Sequence, residues 1–206
     1  MVKHAVDDKQ LNELLYQALE TETGGIQVYE NAIACAINDD LRKEFSEYLE
    51  QTKRHREVLL SVFEHLGLDP KAQTPGRQVV AHLGASLVQA MQLAQGGGDP
   101  VAAELAACEC VVMAETKDHM NWELIGRVGK NLTGTTAQVL MRAYEEIEDQ
   151  EDQHLYHSKG WARELWIDSL GLPAVLPPPE EVKRVETAIA AAHAEQGRET
   201  MLKKGH

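Results

Sequence analysis

Glu151 and His154 lie three residues apart in the run Glu148-Asp149-Gln150-Glu151-Asp152-Gln153-His154. On a helix this spacing sends a carboxylate and an imidazole out from the same face. Leu140, Tyr144 and Ile147 precede the pair on that face, and Ser158, Trp161 and Leu165 follow it. The stripe is otherwise apolar, and a carboxylate on a buried stripe is costly unless a positive charge meets it. A metal ion supplies such a charge most simply. Glu22, His55 and Glu115 interrupt apolar stripes in the same way elsewhere in the chain. Carboxylate oxygen with imidazole nitrogen suits iron or manganese better than a thiolate zinc site does. Two such ions close together would share the electrons needed to reduce peroxide or dioxygen.

Long helices are needed to position these five residues, and the pattern supplies them, with strand signals almost absent. A first helix is expected from about Asp8 to Ile37, with Leu11, Leu14, Ala18, Ile26, Tyr29, Ile33 and Ala36 on one stripe and Glu22 in phase. Asn38-Asp39-Asp40 breaks it and offers a cap for a second, Leu41 to Leu66, whose polar intruder is His55. Gly67 and Pro70 stop that helix, and a shorter one spans Arg77 to Gln95. After the Gly96-Gly97-Gly98-Asp99-Pro100 break, a helix from Val101 to Val128 carries Glu115. Gly129 to Gly134 forms a turn, and Thr135 to Leu170 holds the Glu151–His154 pair. Gly171 and Pro173 end it. A last helix is expected from Pro177-Pro178-Pro179-Glu180-Glu181 to near Gly197. The expected division is a bundle over 1–172 and a Pro-rich arm with a C-terminal helix over 173–206.

The spacing holds a repeat. Tyr29 follows Glu22 by seven residues, Trp122 follows Glu115 by seven, and 93 positions separate the two pairs. His55 and His154 are 99 apart, and Leu66-Gly67-Leu68 and Leu170-Gly171-Leu172 are 104 apart. Two stacked helical hairpins would give this order. Antiparallel packing within each hairpin would then bring Glu22, His55, Glu115, Glu151 and His154 to one centre.

Dinuclear carboxylate bundles take a single Glu from each of two helices and Glu-x-x-His from each of the other two. Here the helices of Glu22 and Glu115 supply the single Glu, and Glu151-x-x-His154 is the full motif. Thr52 stands three residues before His55, where the pattern calls for Glu. On these residues, with Tyr29 and Trp122, the chain resembles the ferritin-like superfamily in its rubrerythrin-type branch, over roughly Asp8 to Leu170. Tyr48-Leu49-Glu50-Gln51-Thr52-Lys53-Arg54-His55 also resembles the helix of stress-associated ferritin-like proteins.

The resemblance implies an all-α, ferritin-like four-helix bundle of two antiparallel hairpins with a short crossover helix. It implies two Fe ions (or Mn) on Glu22, His55, Glu115, Glu151 and His154, with ferrous oxidation or the reduction of peroxide or dioxygen in iron handling or oxidative stress. No Cys-rich rubredoxin module follows, so full rubrerythrin electron transfer is not implied. Thr52 leaves the stoichiometry open: Gln51, Glu50 or Glu148 could turn inward, or a single metal could bind firmly. Tyr29, Tyr48, Tyr144, Trp122 and Trp161 read as bundle core, with support of the metal or a radical role as the rarer alternative. His119 and His157 are expected at the surface. Two other readings are iron binding or storage without turnover, and a metal-free helical interaction protein.

Composition narrows the field. Among 206 residues, 33 acidic against 20 basic give a net charge of −13, which disfavours nucleic acid and anionic membranes. No apolar run is long enough to span a bilayer, and Met1 to Asp8 has no signal-peptide core. Three cysteines, an odd number, point to a reducing cytoplasm rather than a disulfide framework. Cys108 and Cys110 would point to nearly opposite sides of a helix and cannot share one ion. A homodimer is expected, with the C-terminal arm on a neighbour or on the outer bundle.

Overall fold

The apolar stripes meet in a computed structural model that describes residues 6–179. Five helices occur there: α1 (Asp8–Cys35), α2 (Asp39–Leu66), α3 (Pro75–Gly96), α4 (Pro100–Asn131) and α5 (Thr135–Ser169), with no strand among the described residues. The expected C-terminal helix lies outside the described residues. Side-chain caps start four of the five helices. Asp7, Asn38, Thr74 and Asp99 each accept from backbone N–H groups of the first turn, and Pro75 and Pro100 open α3 and α4. Gly67 and Gly171 end α2 and α5 with φ of 67° and 74°. In both, the next leucine's N–H bonds five residues back, Leu68 to Phe63 at 2.9 Å and Leu172 to Ile167 at 3.1 Å. The 104-residue spacing therefore marks two matching helix ends.

Two boundaries differ from the pattern. α1 stops at Cys35 because the buried Glu104 carboxylate draws the N–H groups of Ile37 and Asn38 to itself, each at 2.7 Å. α4 continues through Gly129 to Asn131, because Gly126 and Gly129 lie in the α4–α5 contact and do not break the helix. A Cβ at Gly126 would come within 2.6 Å of the Tyr144 ring, and one at Gly129 within 2.9 Å of Met141 Sδ.

α1 packs against α2, α3 and α4, while α5 packs against α2 and α4. Contacts Glu22–Trp122 and Tyr29–Glu115 run α1 antiparallel to α4. Contacts Glu44–Trp161 and Gln51–His154 do the same for α2 and α5. α2 and α4 consequently point the same way, and α3 returns the chain between them along the outside of α1 and α4. Arg77 anchors α3 by donating to Glu20 on α1 at 2.7 Å and to the carbonyls of Pro70 and Ala72.

The four helices α1, α2, α4 and α5, joined on one side by Met91 of α3, form two apolar clusters. One contains Phe45, Tyr48, Met91, Val111 and Trp161, and the other Leu15, Leu59, Phe63, Ile125 and Leu140. Fully burying such side chains stabilises the fold by about 1.5–3 kcal/mol each. Between the clusters lies a layer of buried polar residues, the seat of the candidate site. Residues after α5 turn back onto it: the Val175 N–H donates to Glu164 at 3.0 Å, and Pro178 lies against Gly160. Cys35, Cys108 and Cys110 are free and buried. No helix among the described residues is long and apolar enough to cross a membrane.

Candidate metal centre

Glu22 of α1, His55 of α2, Glu115 of α4 and Glu151 with His154 of α5 all reach the polar layer, and all five are buried. His55 Nδ1 lies 2.9 Å from Glu151 and 3.7 Å from Glu22. His154 Nδ1 lies 3.6 Å from Glu115 and 3.9 Å from Glu151. The two imidazoles stack with centroids 5.5 Å apart. Glu151 is thus within reach of both histidines, while Glu22 and Glu115 each serve one.

The surrounding bonds follow the repeat. Tyr29 of the first half donates to Glu115 of the second at 2.7 Å, and Trp122 of the second donates to Glu22 of the first at 2.9 Å. His55 Nε2 meets Gln150 Oε1 at 2.7 Å, and His154 Nε2 meets Gln51 Oε1 at 2.6 Å. An amide oxygen only accepts, so in each ring Nε2 bears the proton and a neutral ring turns its Nδ1 lone pair inward. The 2.9 Å approach of His55 Nδ1 to Glu151 is then acceptor facing acceptor, and it makes no hydrogen bond. Glu22 Oε2, Glu115 Oε2, Asp118 Oδ1 and both oxygens of Glu151 also lack a hydrogen-bond partner. Unpaired acceptors converging in a dry interior are unfavourable unless protons or a cation sit among them. The donor set fits a metal on that ground.

Burial dominates the electrostatics. It raises the carboxyls of Glu22, Glu151 and Asp118 well above their ordinary values, and the neighbouring acids raise them further. It also lowers His55, which opposes formation of an imidazolium as the missing cation. Tyr29 is raised by burial and then by Glu115, so its hydroxyl remains a donor.

Asp118 was not legible as a site residue. It is 4% exposed, and its carboxylate groups with those of Glu22 and Glu151, ligand atoms all within 4.8 Å of one another. The available signal is Glu115-x-x-Asp118, the same three-residue step as Glu151-x-x-His154. Its neighbour His119 was expected at the surface. Gln150 was equally hidden, since its partner lies across the α2–α5 interface, whereas Gln51 was among the residues expected to be able to turn inward. Thr52 brings no charge: its hydroxyl donates to the Tyr48 carbonyl at 2.9 Å. Of the residues that could compensate from nearby, Glu50 pairs with Lys53 and Glu148 is exposed, while Gln51 turns inward only to hold His154.

Two expectations for neighbouring residues change. His157 is buried, with Nδ1 2.7 Å from Glu44, because the chain after α5 covers it. His119 is half-buried against Asp152 at 2.6 Å. Tyr29 and Trp122 are core residues that also bond the carboxylates, and Tyr48 packs on His154 at 4.2 Å between centroids. Trp161 donates to Glu44, and Tyr144 fills the gap at Gly126. Compared with family models, curated proteins and solved structures, the chain has no match.

Proposed function

We propose that this chain is a dinuclear iron or manganese carboxylate protein of ferritin-like architecture, an oxidoreductase that acts on dioxygen or peroxide. One observation supports the reading above the others. Carboxylate oxygens from α1, α4 and α5 and the Nδ1 of His55 on α2 converge, unpaired, in a dry layer between two apolar clusters. Glu151 lies within 3.9 Å of both imidazoles, with Glu22 near His55 and Glu115 near His154, which supports two ion positions sharing Glu151. When bound, the ions would supply one-electron steps toward the oxidant, with ferrous iron a suitable substrate as electron donor.

The chain's own residues set the conditions for that chemistry. Gln51 and Gln150 fix the histidine tautomers so that Nδ1 is the ligating atom, an orienting role typical of groups just outside a metal's ligands. Tyr29 and Trp122 hold one oxygen of Glu115 and of Glu22 and leave the other free. The apolar clusters keep bulk water out, and the depth of the donors favours a small oxidant over a bulky organic substrate.

Elemental analysis after supplementation with iron or manganese tests the site. Wild type should carry a pair of ions per chain, and Glu151→Ala and His154→Ala should lose most of that content. Equal content in all three proteins, or none in wild type, would overturn the assignment. Ferrous loss on mixing the metal-free protein with ferrous iron and peroxide then tests turnover. Binding without faster oxidation than in buffer would leave a storage protein in place of an enzyme.

A further inference from the structure

The repeat relates the helices of the two halves position by position, and the acids do not follow it. The 93-residue offset that matches Glu22 to Glu115 also matches Gly25 to Asp118, and the 99-residue offset that matches His55 to His154 also matches Thr52 to Glu151. In the first half the two facing positions are empty of charge: a Cβ at Gly25 would sit 3.3 Å from Thr52 Cγ2. In the second half the equivalent positions are both acids, Asp118 and Glu151. The carboxylate absent at 52 is thus balanced by one on α4, which points to the same polar layer.

Resting on the dinuclear reading, we propose that Asp118 is a metal ligand which replaces the carboxylate missing at position 52, and that the two ion positions are therefore unequal. One position draws on Glu22, His55, Asp118 and Glu151, three carboxylates and an imidazole. The other draws on Glu115, His154 and the shared Glu151, two carboxylates and an imidazole. Asp118 Oδ1 is buried and meets no donor group, and the Asp118 carboxylate lies within 4.8 Å of those of Glu22 and Glu151, so that only a proton shared with Glu22 or a cation can satisfy it. Lys117, its neighbour in sequence, directs its ammonium to Asn121. Three ionised acids in mutual reach are favourable only around a cation, and the position with more charge binds a divalent ion more tightly. The rival account keeps Asp118 as a neutral acid in a proton-sharing hydrogen bond with Glu22.

Asparagine separates the two accounts, since it preserves the shape and hydrogen bonding of a neutral acid but not its charge. Metal-free wild type, Asp118→Asn and Thr52→Glu/Asp118→Asn would be titrated with manganous ion, with bound ion counted by calorimetry and electron paramagnetic resonance. Wild type should fill in two steps of different affinity. Asp118→Asn should weaken the tighter step by at least about tenfold and leave the weaker step nearly unchanged. Returning an acid at 52 should recover much of the loss, and a wild-type helical circular-dichroism spectrum and cooperative melt of metal-free Asp118→Asn would show that the single variant still folds. Wild type and Asp118→Asn with the same two steps would overturn this inference alone, as would two equal steps in wild type. Wild type that takes up no manganous ion would remove the dinuclear reading beneath it.

Discussion

The protons on His55 and His154 decide how single side chains behave in this centre. Because Gln150 and Gln51 hold Nε2–H, Nδ1 faces the acids, and the metal-free layer contains repulsion that only protons or cations relieve. The sign of the pH dependence follows. Glu22, Glu151 and Asp118 have folded pKa values raised by burial, so each favours the folded state in its protonated form. That stability is full below the ordinary carboxyl values of about 4 and is lost as pH rises through the raised folded values. His55 is lowered by burial, so its contribution is present above 6.5 and lost as pH falls through its folded value. Three acids outweigh one histidine, and the metal-free protein should lose thermal stability from mildly acidic to alkaline pH. Metal-loaded protein should not, because its ligands bind ions best when deprotonated. Melting curves of chelator-treated and loaded protein across that range would check this, and a metal-free protein that gains stability toward alkaline pH would contradict it. A second prediction concerns support of the ligands. Tyr29→Phe and Trp122→Phe should keep the packing but weaken metal binding by roughly 10–100-fold, as loss of an orienting hydrogen bond commonly does. Unchanged manganous-ion affinity in both variants would show that these bonds are incidental.

Helix length and close approach govern the element scale. α4 and α5 meet where Gly126 admits the Tyr144 ring, in register with the site above it. Gly126→Ala would force that ring or a backbone to move, and overpacking of this kind costs about 1–3 kcal/mol. For a chain of this size it should lower the melting temperature by roughly 2–4 °C per kcal/mol, readable by calorimetry on metal-free protein. A variant as stable as wild type would mean that the helices are not so closely held. The same contact explains what the sequence left unread at this scale. Most helix ends were legible within about three residues, because capping residues and Gly-Pro breaks act locally. Gly129 was not, since a glycine at a helix crossing and a glycine in a turn look alike until the partner helix is placed. The early stop of α1 was hidden for a similar reason, as Glu104 is distant in sequence.

For the whole molecule, two pseudo-equivalent hairpins with the carboxylates shifted toward one half describe both fold and site. The five donors expected from the sequence come together because each interrupts an apolar stripe, a signal carried within one helix. Asp118 and the two glutamines depend on the register between helices, which periodicity does not encode. A net charge of −13 and several buried acids leave the empty molecule under self-repulsion. Loading with metal should therefore stabilise it globally, by about 2.7 kcal/mol for each ion position whose dissociation constant free metal exceeds about a hundredfold. The shift in melting temperature should vanish in Glu151→Ala, and an equal shift there would place the binding elsewhere. Anomalous X-ray diffraction from crystals loaded with iron or manganese bears most directly on the central claim. Two peaks within the polar layer are predicted, one at Glu22, His55 and Asp118 and the other at Glu115 and His154, with Glu151 reaching both. Loaded crystals with peaks only at the acidic surface, and none between the helices, would contradict it.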